Sequence, residues 1–350
     1  MIVRENVLLA PLTTLGVGGP AHYFVEATTE AEVRDALEFA QAGDLPLFVM
    51  GGGSNLLVSD GGFDGLVLRV SLGGVERKLN GSDVTYQVAA GEDWDSFVAR
   101  AVEDECAGIE CLSGIPGTVG ATPVQNVGAY GQEVSGTIRE VAALDRQSRE
   151  LRLFNNADCR FGYRTSVFNS VERDRYIILR VMLALRRGQR PTIRYADLQK
   201  TFADVIGEPS LKQVREAVRA IRYSKGMLLV AGDEDVHSAG SFFKNPVLLE
   251  QQHQDLNKRA EAKKLIVPSY PALEKQHKVS AAWLVEHSGF ARGYALGRAG
   301  ISSKHTLAIV NRGGATAAEI LALQNQVQHR VQEVWGVRLE TEPVFVGING

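Results

Sequence analysis

Apolar positions along the chain alternate between two periods, one typical of helices and one typical of strands. Apolar residues recur every three to four positions over residues 33–40, 94–102 and 211–221, which predicts amphipathic helices. Continuous or alternating apolar runs at residues 138–144 and 176–185 predict strands. The two patterns are interspersed along the chain, and we therefore expect a fold of the α+β class.

A glycine-rich loop interrupts this pattern near the N-terminus. An apolar run at residues 45–50 is followed by three glycines, Ser54 and Asn55, and residues 56–58 predict a further strand. Three residues without Cβ allow positive φ and close approach of a ligand, and successive N–H groups can cradle a diphosphate. No G-x-G-x-x-G pattern follows, so the loop alone fits either such a cradle or a tight hairpin.

A second, longer glycine-rich segment covers residues 108–131. Its six glycines and two prolines disfavour both a helix and a strand, and Gly108 is predicted to cap the helix at residues 94–102. The segment has few charges and no repeat, which argues against disorder. Long irregular segments of this kind are usually functional. Together, the two glycine segments predict an extended ligand rather than a single phosphate.

Composition and charge narrow the class of protein. The 350 residues suffice for two or three domains, and a net charge of −3 gives no electrostatic reason to bind nucleic acid or an anionic membrane. No apolar run approaches a membrane span, and residues 1–6 do not begin a signal peptide. Three cysteines and seven histidines lack metal-ligand spacing, so we expect no metal site and a reduced, cytoplasmic setting.

Several cations allow more than one interpretation when each is taken alone. Arg164, after Tyr163, offers a planar fork for a carboxylate or phosphate, or forms a surface ion pair. Arg222 and Lys225 lie at the end of a predicted helix, where cations complement the helix dipole.

The C-terminal third contains a serine and two carboxylates of interest. Ser241 precedes two phenylalanines and Lys244, but no G-x-S-x-G pattern surrounds it and no histidine is obviously placed to activate it. A hydrolase triad is therefore a weak interpretation. Glu340 and Glu342 alternate along a strand predicted over residues 337–346, where carboxylates are usually solvated.

Five motifs, taken together and in order, identify a family. The chain resembles the UDP-N-acetylenolpyruvoylglucosamine reductases, the MurB family of bacterial peptidoglycan synthesis, from about Leu12 to Phe345. The motif around Tyr195 is similar to that of the longer family type, in which a tyrosine loop covers the substrate. The motifs that carry the resemblance are Gly51-Gly-Gly-Ser-Asn-Leu-Leu57, Ser113-Gly-Ile-Pro-Gly-Thr-Val-Gly120, Gln125-Asn-Val-Gly-Ala-Tyr-Gly131, Gly162-Tyr-Arg-Thr-Ser-Val-Phe168 and Gly240-Ser-Phe-Phe-Lys-Asn-Pro246.

The resemblance implies a flavin-binding fold of the PCMH or vanillyl-alcohol-oxidase-like type with three domains. The first FAD-binding subdomain would cover residues 1–71 and be completed by residues 331–350. The second would cover residues 72–225, and the substrate-binding domain residues 226–330. The FAD-binding PCMH-type region would extend over about residues 17–188.

The resemblance also implies non-covalently bound FAD, with NADPH as reductant. No histidine or cysteine lies in a motif for covalent flavin attachment. The residues that match the family's cofactor contacts are Gly51, Gly52, Gly53, Ser54, Asn55, Leu56, Ile115, Pro116, Gly117, Gly120, Ala121, Gln125, Asn126, Gly128, Ala129 and Arg222.

The implied reaction reduces UDP-N-acetylglucosamine enolpyruvate to UDP-N-acetylmuramate. N5 of the reduced flavin would deliver hydride to the enolpyruvyl group, and Ser241 would then protonate the product carbon, assisted by Lys244 or a water. Arg164 and Glu342 match the groups that hold the carboxylate and stabilise the enolate, and Glu342 would need a raised pKa for that role. The residues that match substrate contacts are Tyr163, Tyr195, Lys225 and Asn245.

The sequence departs from the family pattern at two places, and two alternative functions are also considered. Thr165 replaces a common acidic residue, and the apolar stretch 227–231 leaves the register of Lys225 open. The alternative enzyme is an FAD-linked oxidase of the vanillyl-alcohol-oxidase type. The alternative from another class is a catalytically silent nucleotide- or flavin-binding module. We expect a cytoplasmic monomer.

Overall fold

The structure is a computed structural model that describes residues 1–272 and 275–348. Residues 273–274 and 349–350, which belong to the predicted segments 226–330 and 331–350, lie outside the described residues. The chain divides into two compact units. The first unit consists of Met1–Val7, Ala21–Gly53 and Phe63–Ser224, and the second of Leu8–Pro20, Ser54–Gly62 and Lys225–Gly350. The division into three domains stays a prediction.

Strands and helices are interspersed along the chain, with several runs of consecutive strands. The strands are β1 (Arg4–Leu8), β2 (Pro20–Ala27), β3 (Leu47–Met50), β4 (Leu56–Val58), β5 (Phe63–Val70), β6 (Val75–Asn80), β7 (Asp83–Ala89), β8 (Cys106–Ala107), β9 (Gly128–Ala129), β10 (Gln132–Glu133), β11 (Ile138–Asp145), β12 (Leu151–Asn155), β13 (Tyr176–Arg187), β14 (Ser238–Ser241), β15 (Val247–Leu249), β16 (Ser269–Pro271), β17 (Gln276–Val279), β18 (Ala295–Leu296), β19 (Ala299–Ile301), β20 (Ala308–Asn311) and β21 (Val344–Val346). The α-helices are α1 (Glu30–Ala42), α2 (Trp94–Glu103), α3 (Ala196–Thr201), α4 (Leu211–Ser224), α5 (Glu250–Glu261), α6 (Ala281–Glu286) and α7 (Ala317–Trp335). Single 3₁₀ turns occupy Ala10–Leu12, Glu110–Leu112, Val119–Ala121, Val134–Gly136 and Val167–Asn169.

The first unit contains two larger sheets that share one hydrophobic core. One sheet has the strand order β1-β2-β5-β3, in which β2 and β3 both run parallel to β5. The other is antiparallel, with the order β12-β11-β13-β7-β6 and with β8 paired to β13. The apolar faces of α1 and α2 are buried in this core, which confirms two of the three helices predicted from periodicity. The third, predicted over residues 211–221, is also confirmed and is α4.

Side-chain caps begin these helices where the sequence provides a Thr or Asp. Thr29 Oγ1 accepts a hydrogen bond from the Glu32 amide at 3.2 Å, and Asp93 caps α2 through the Ser96 amide at 2.8 Å. The predicted cap at Gly108 is wrong. Helix α2 ends at Glu103, because Glu105 takes the left-handed conformation at φ +57° and the chain enters β8 before reaching Gly108.

The second unit is built around its own core, with α7 as its longest helix. A capping box between Thr316 and Glu319 begins α7, and Gly336 at φ +71° ends it. Two antiparallel sheets have the orders β14-β20-β19-β18 and β15-β17-β16, and β21 pairs in parallel with β4. The strand predicted over residues 337–346 is wrong in its first seven residues, which follow α7 as irregular chain with one bridge at Thr341.

The described residues include neither a membrane-spanning helix nor a cluster of metal ligands. Among them, no helix combines the length and apolar character needed to cross a membrane. No group of three or more histidine, cysteine or acidic side chains in residues 1–272 and 275–348 has the arrangement of a metal site.

Candidate functional site

The first glycine loop packs directly against the second glycine segment within the first unit. A Cβ on Gly51 would lie 2.3 Å from Oγ1 of Thr118, and a Cβ on Gly52 would lie 3.0 Å from Cα of Gly117. Gly53 has φ +67°, a left-handed conformation that favours glycine. The structure therefore brings these two predicted cofactor-binding segments together, and it shows that close packing is one reason for the glycines.

The loop also presents backbone donors. The amides of Gly52 and Gly53 donate no hydrogen bond to any residue that the structure describes. Consecutive amide donors in a glycine turn form a concave site for an anion such as a diphosphate. Ser54, Asn55 and Leu56, the first residue of β4, belong to the second unit.

The remaining predicted cofactor residues of the second segment lie on short, irregular elements of the first unit. A Cβ on Gly120 would lie 2.5 Å from Cβ of Ala90, so this glycine is also required by close packing. Ile115, Pro116 and Gly117 connect two 3₁₀ turns, Gly120 and Ala121 belong to the second of these turns, Gln125 and Asn126 lie in the following turn, and Gly128 and Ala129 form β9.

Asn126 ties this segment to the turn that carries the Tyr-Arg pair. It is 1% exposed, with φ +45°. Its Nδ2 donates to Glu133 Oε2 at 2.9 Å and to the Gly162 carbonyl at 3.0 Å, and its Oδ1 accepts from the Ser135 amide at 3.1 Å. These bonds give the Asn126 side chain a structural function, which is separate from its predicted contact with a cofactor.

Arg164 occupies a strained position on a tight turn of the first unit. Its φ is +55°, and Gly162 and Thr165 on either side of it are paired as an isolated antiparallel bridge. Asn169 Nδ2 donates to the Arg164 carbonyl at 3.2 Å, and the guanidinium carbon lies 5.8 Å from the centre of the Tyr163 ring. The turn therefore fixes the backbone of the predicted catalytic arginine.

Tyr195 and Arg222 both approach Tyr130, the residue after the predicted cofactor position Ala129. Tyr195 immediately precedes α3, and its ring meets the Tyr130 ring edge to face at 5.3 Å. Burial lowers the pKa of Arg222, and Tyr130 and Asp95 oppose that shift. The Nε of Arg222 donates to the Gly114 carbonyl at 3.0 Å, at the start of the second glycine segment.

Ser241 ends β14 in the second unit, next to two buried phenylalanines. Gly240, directly before it, has φ +73°, and Phe242 and Phe243 are 0% and 1% exposed. Lys244, which was expected as one assistant of Ser241, has its Nζ 3.5 Å from Oε2 of Glu340.

Backbone pairing places Glu342 beside this serine. The Glu342 amide donates to the Phe242 carbonyl at 2.9 Å, and Phe243 bridges Thr341. Asn55 Nδ2 donates to the Glu342 carbonyl at 3.1 Å. The structure therefore brings together Ser241, Glu342 and Asn55 of the first glycine loop, all within the second unit.

Lys225 opens the second unit's C-terminal section, and the next residue packs on an acidic network. A Cβ on Gly226 would lie 3.3 Å from Ser302 Oγ and 3.5 Å from Cβ of Asp235. Asp235 is 3% exposed, and its Oδ2 accepts from the Ser302 hydroxyl at 2.8 Å. Burial, and after it Lys225 and Arg292, lower the pKa of His305 to about 4, so this histidine is neutral at neutral pH.

Asn245 is partly engaged in supporting a helix. Its Oδ1 accepts a hydrogen bond from the Ala281 amide at 2.9 Å, at the start of α6. Ser280 caps the same helix through the Trp283 amide at 3.3 Å.

Sequence reasoning missed a carboxylate and two arginines that support the second glycine segment. Asp95 Oδ1 accepts from the Gly114 amide at 2.6 Å and from Arg215 Nη1 at 2.5 Å, and Arg219 also contacts the Asp95 carboxylate. A signal was present, because Arg215, Arg219 and Arg222 share one face of α4 by their spacing of four and three residues.

The predicted catalytic residues belong to different units, Arg164 to the first and Ser241 and Glu342 to the second.

The fold and the glycine segments define the class of protein as FAD-binding. A family model described as "FAD binding domain" matches residues 21–145, and one described as "UDP-N-acetylenolpyruvoylglucosamine reductase, C-terminal domain" matches residues 233–346. Among curated relatives, UDP-N-acetylenolpyruvoylglucosamine reductase of Thermobifida fusca is 46% identical over 98% of both chains. The same-named protein of Streptomyces coelicolor is 47% identical over 97% of this chain and 89% of its own length.

A solved structure agrees with these relatives. The crystal structure of UDP-N-acetylenolpyruvylglucosamine reductase (MurB) from Thermus caldophilus is 27% identical, covers 99% of this chain and 100% of its own, and superposes with a TM-score of 0.67. The chain belongs to the UDP-N-acetylenolpyruvoylglucosamine reductase family. This confirms the resemblance inferred from the motifs.

Proposed function

We propose that this chain is a flavoenzyme that uses NADPH to reduce UDP-N-acetylglucosamine enolpyruvate to UDP-N-acetylmuramate in peptidoglycan synthesis. The family membership supports this reaction. The observation that carries the proposal is the arrangement in the second unit, where Glu342 is hydrogen-bonded through its amide to Phe242, next to Ser241, and through its carbonyl to Asn55. The motif Gly240–Pro246 and Glu342 argue against the alternative of an FAD-linked oxidase.

Two features of the residues in the first unit are consistent with FAD binding. A Cβ on Gly51 or Gly52 would crowd Thr118 or Gly117, and the amides of Gly52 and Gly53 have no acceptor among the described residues. We propose that these amides hold the diphosphate, and that the segment from Ile115 to Ala129 and Arg222 hold the remainder. When bound, FAD supplies the two-electron redox chemistry of the reaction.

Buried thiols support non-covalent binding of the cofactor. All three cysteines are buried, and burial raises the pKa of both Cys111 and Cys159 to about 12. Burial raises the pKa of the Cys106 thiol as well. Thiols that stay protonated at neutral pH are poor nucleophiles, so we do not expect a cysteinyl linkage to the flavin.

Arg164 is proposed to hold the carboxylate of the enolpyruvyl group. Reduction of the alkene places negative charge on the adjacent carbon and on this carboxylate. A guanidinium can meet both carboxylate oxygens with parallel hydrogen bonds, and a preorganised donor of this kind can lower the barrier by about 3 kcal/mol. The fixed turn around Arg164 supports this role, since the donor then needs no reorganisation during the reaction.

Ser241 is proposed to give its hydroxyl proton to the α-carbon of the product. A serine is a weak acid, so a proton must be returned to Oγ from a neighbour or a water. Glu342 is proposed to stabilise the charge that develops at the substrate, in a protonated form or through a partner. We propose that Tyr163, Tyr195, Lys225 and Asn245 bind the nucleotide and diphosphate, with the loop at Tyr195 covering the substrate.

An anaerobic absorbance titration tests the proposal. NADPH is added to the FAD-loaded protein, followed by UDP-N-acetylglucosamine enolpyruvate, while the flavin band near ~450 nm is recorded. We expect NADPH to bleach the band and the enol ether to restore it. Bleaching without recovery would refute this substrate and favour the oxidase alternative, with oxygen as the acceptor to test. A protein that retains no FAD would refute the assignment of the glycine segments.

A further inference from the structure

We infer that Asp95 is a positioning residue for the flavin, acting through a clamp on the peptide of Gly114; this inference rests on the proposed function. The clamp consists of Asp95, Arg215, Arg219, Arg222 and Gly114, all in the first unit. None of Asp95, Arg215 and Arg219 belongs to a motif that carried the family resemblance.

Gly114 is held from both sides of its backbone. Its amide donates to Asp95 Oδ1 at 2.6 Å, and its carbonyl accepts from Arg222 Nε at 3.0 Å. Its φ of +72° is a left-handed conformation that favours glycine. Because Ile115 follows directly, the two bonds set the direction in which the predicted cofactor-binding residues Ile115, Pro116 and Gly117 continue from the 3₁₀ turn Glu110–Leu112.

Asp95 is itself fixed by two arginines of α4. Arg215 forms a bidentate ion pair with Asp95, in which Nη1 donates to Oδ1 at 2.5 Å and Nη2 donates to Oδ2 at 3.1 Å. Arg219 also contacts Oδ2 of Asp95. The side chains of Asp95 and Arg215 are only 23% and 16% exposed. Burial raises the pKa of Asp95, but hydrogen bonds from Arg215 and from Gly114 bring it below its usual value, so the carboxylate is charged at neutral pH.

The geometry couples the clamp to a cation predicted to touch the cofactor. Arg215, Arg219 and Arg222 lie on one face of α4, so the helix that fixes Asp95 also directs Arg222 at Gly114. The first turn of α2 adds a third anchor, because the Trp94 amide donates to the Gly117 carbonyl at 3.0 Å. A change at Asp95 should therefore alter how the segment holds the flavin without removing a group that touches it.

The test compares Asp95→Asn with a control on the same helix turn. Asn keeps the shape of Asp but not its charge, and it leaves two guanidiniums without their carboxylate. We expect FAD affinity, measured by quenching of flavin fluorescence on titration of the apoprotein, to fall about 10- to 100-fold. In the reconstituted variant, we expect the flavin absorbance maxima and midpoint potential to shift. The conservative Asp95→Glu protein should recover part of the affinity.

The control is Asp93→Ala, which removes the cap of α2 without touching the clamp. It should lose thermal stability and yet keep the affinity, spectrum and potential of the wild type. The inference would be overturned if the Asp95→Asn protein kept the wild-type FAD affinity, flavin spectrum and midpoint potential. Equal changes of these quantities in Asp95→Asn and Asp93→Ala would also overturn it. If Asp95→Asn fails to fold, Arg219→Gln, which leaves the Arg215 contact in place, takes its position in the comparison.

A wild-type protein that binds no FAD would refute the proposed function together with this inference. Wild-type binding combined with an unaffected Asp95→Asn protein would refute the inference alone. The two failures are therefore distinguishable.

Discussion

The two compact units hold their predicted functional residues by different means. In the first unit, side chains fix the backbone: Asp95 and Arg222 hold Gly114, and Asn126 holds Gly162. In the second unit, the backbone near Ser241 and Glu342 is fixed largely by other backbone groups, through the amide of Glu342 and the bridge between Phe243 and Thr341.

This difference has a consequence for mutagenesis. A single side-chain change in the first unit removes bonds on which the path of an irregular loop depends, so it should affect both stability and binding. A change of Ser241 in the second unit leaves the pairing of its neighbours intact, so it should affect chemistry alone.

The largest effect is expected for Ser241→Ala. Loss of a general acid lowers turnover by about 10²–10⁴-fold, whereas bleaching of the flavin by NADPH and the melting temperature should stay as in the wild type. Steady-state turnover, anaerobic bleaching and thermal unfolding measure the three quantities. Ser238→Ala on the same strand is the matched control and should keep turnover. Undiminished turnover of Ser241→Ala would remove this serine from the mechanism.

Asn126→Ala should destabilise the protein by roughly 3 kcal/mol, since three hydrogen bonds of about 1 kcal/mol each are lost. Alanine also tolerates the left-handed conformation at this position less well than asparagine. Urea denaturation measures the loss, and KM for the enol ether should rise because Gly162 and the Arg164 turn lose an anchor. The exposed Asn80→Ala change in the same unit is the control. Equal stability of the two variants would show that the Asn126 side chain is not an anchor.

The smallest of the three effects is expected for Gly51→Ala. The new Cβ would meet Thr118 Oγ1 at 2.3 Å, and overpacking of this kind costs about 1–3 kcal/mol. FAD affinity should fall accordingly, and adding Thr118→Ala should restore part of it. Gly136→Ala is the control, because nothing lies within 4 Å of a Cβ there. No recovery in the double variant would exclude the contact with Thr118 as the cause.

Much of this protein follows from local sequence patterns. Helical periodicity predicts α1, α2 and α4, and the glycine segments predict irregular chain at residues 51–53 and over most of residues 108–131. Each of these signals lies within a few residues, where propensity and turn chemistry act. The motifs around Arg164 and Ser241 pointed to the family in the same way.

Only the tertiary structure decided how those segments are supported. The bond from Asn126 to Gly162 spans 36 positions of sequence, that from Asn55 to Glu342 spans 287, and that from Arg215 to Asp95 spans 120. No local pattern encodes such partners, because each depends on two distant segments being packed side by side. For the same reason the final strand was predicted too long: its apolar residues Val337 and Leu339 are buried by packing in the second core, and only Val344–Val346 finds a strand partner in β4.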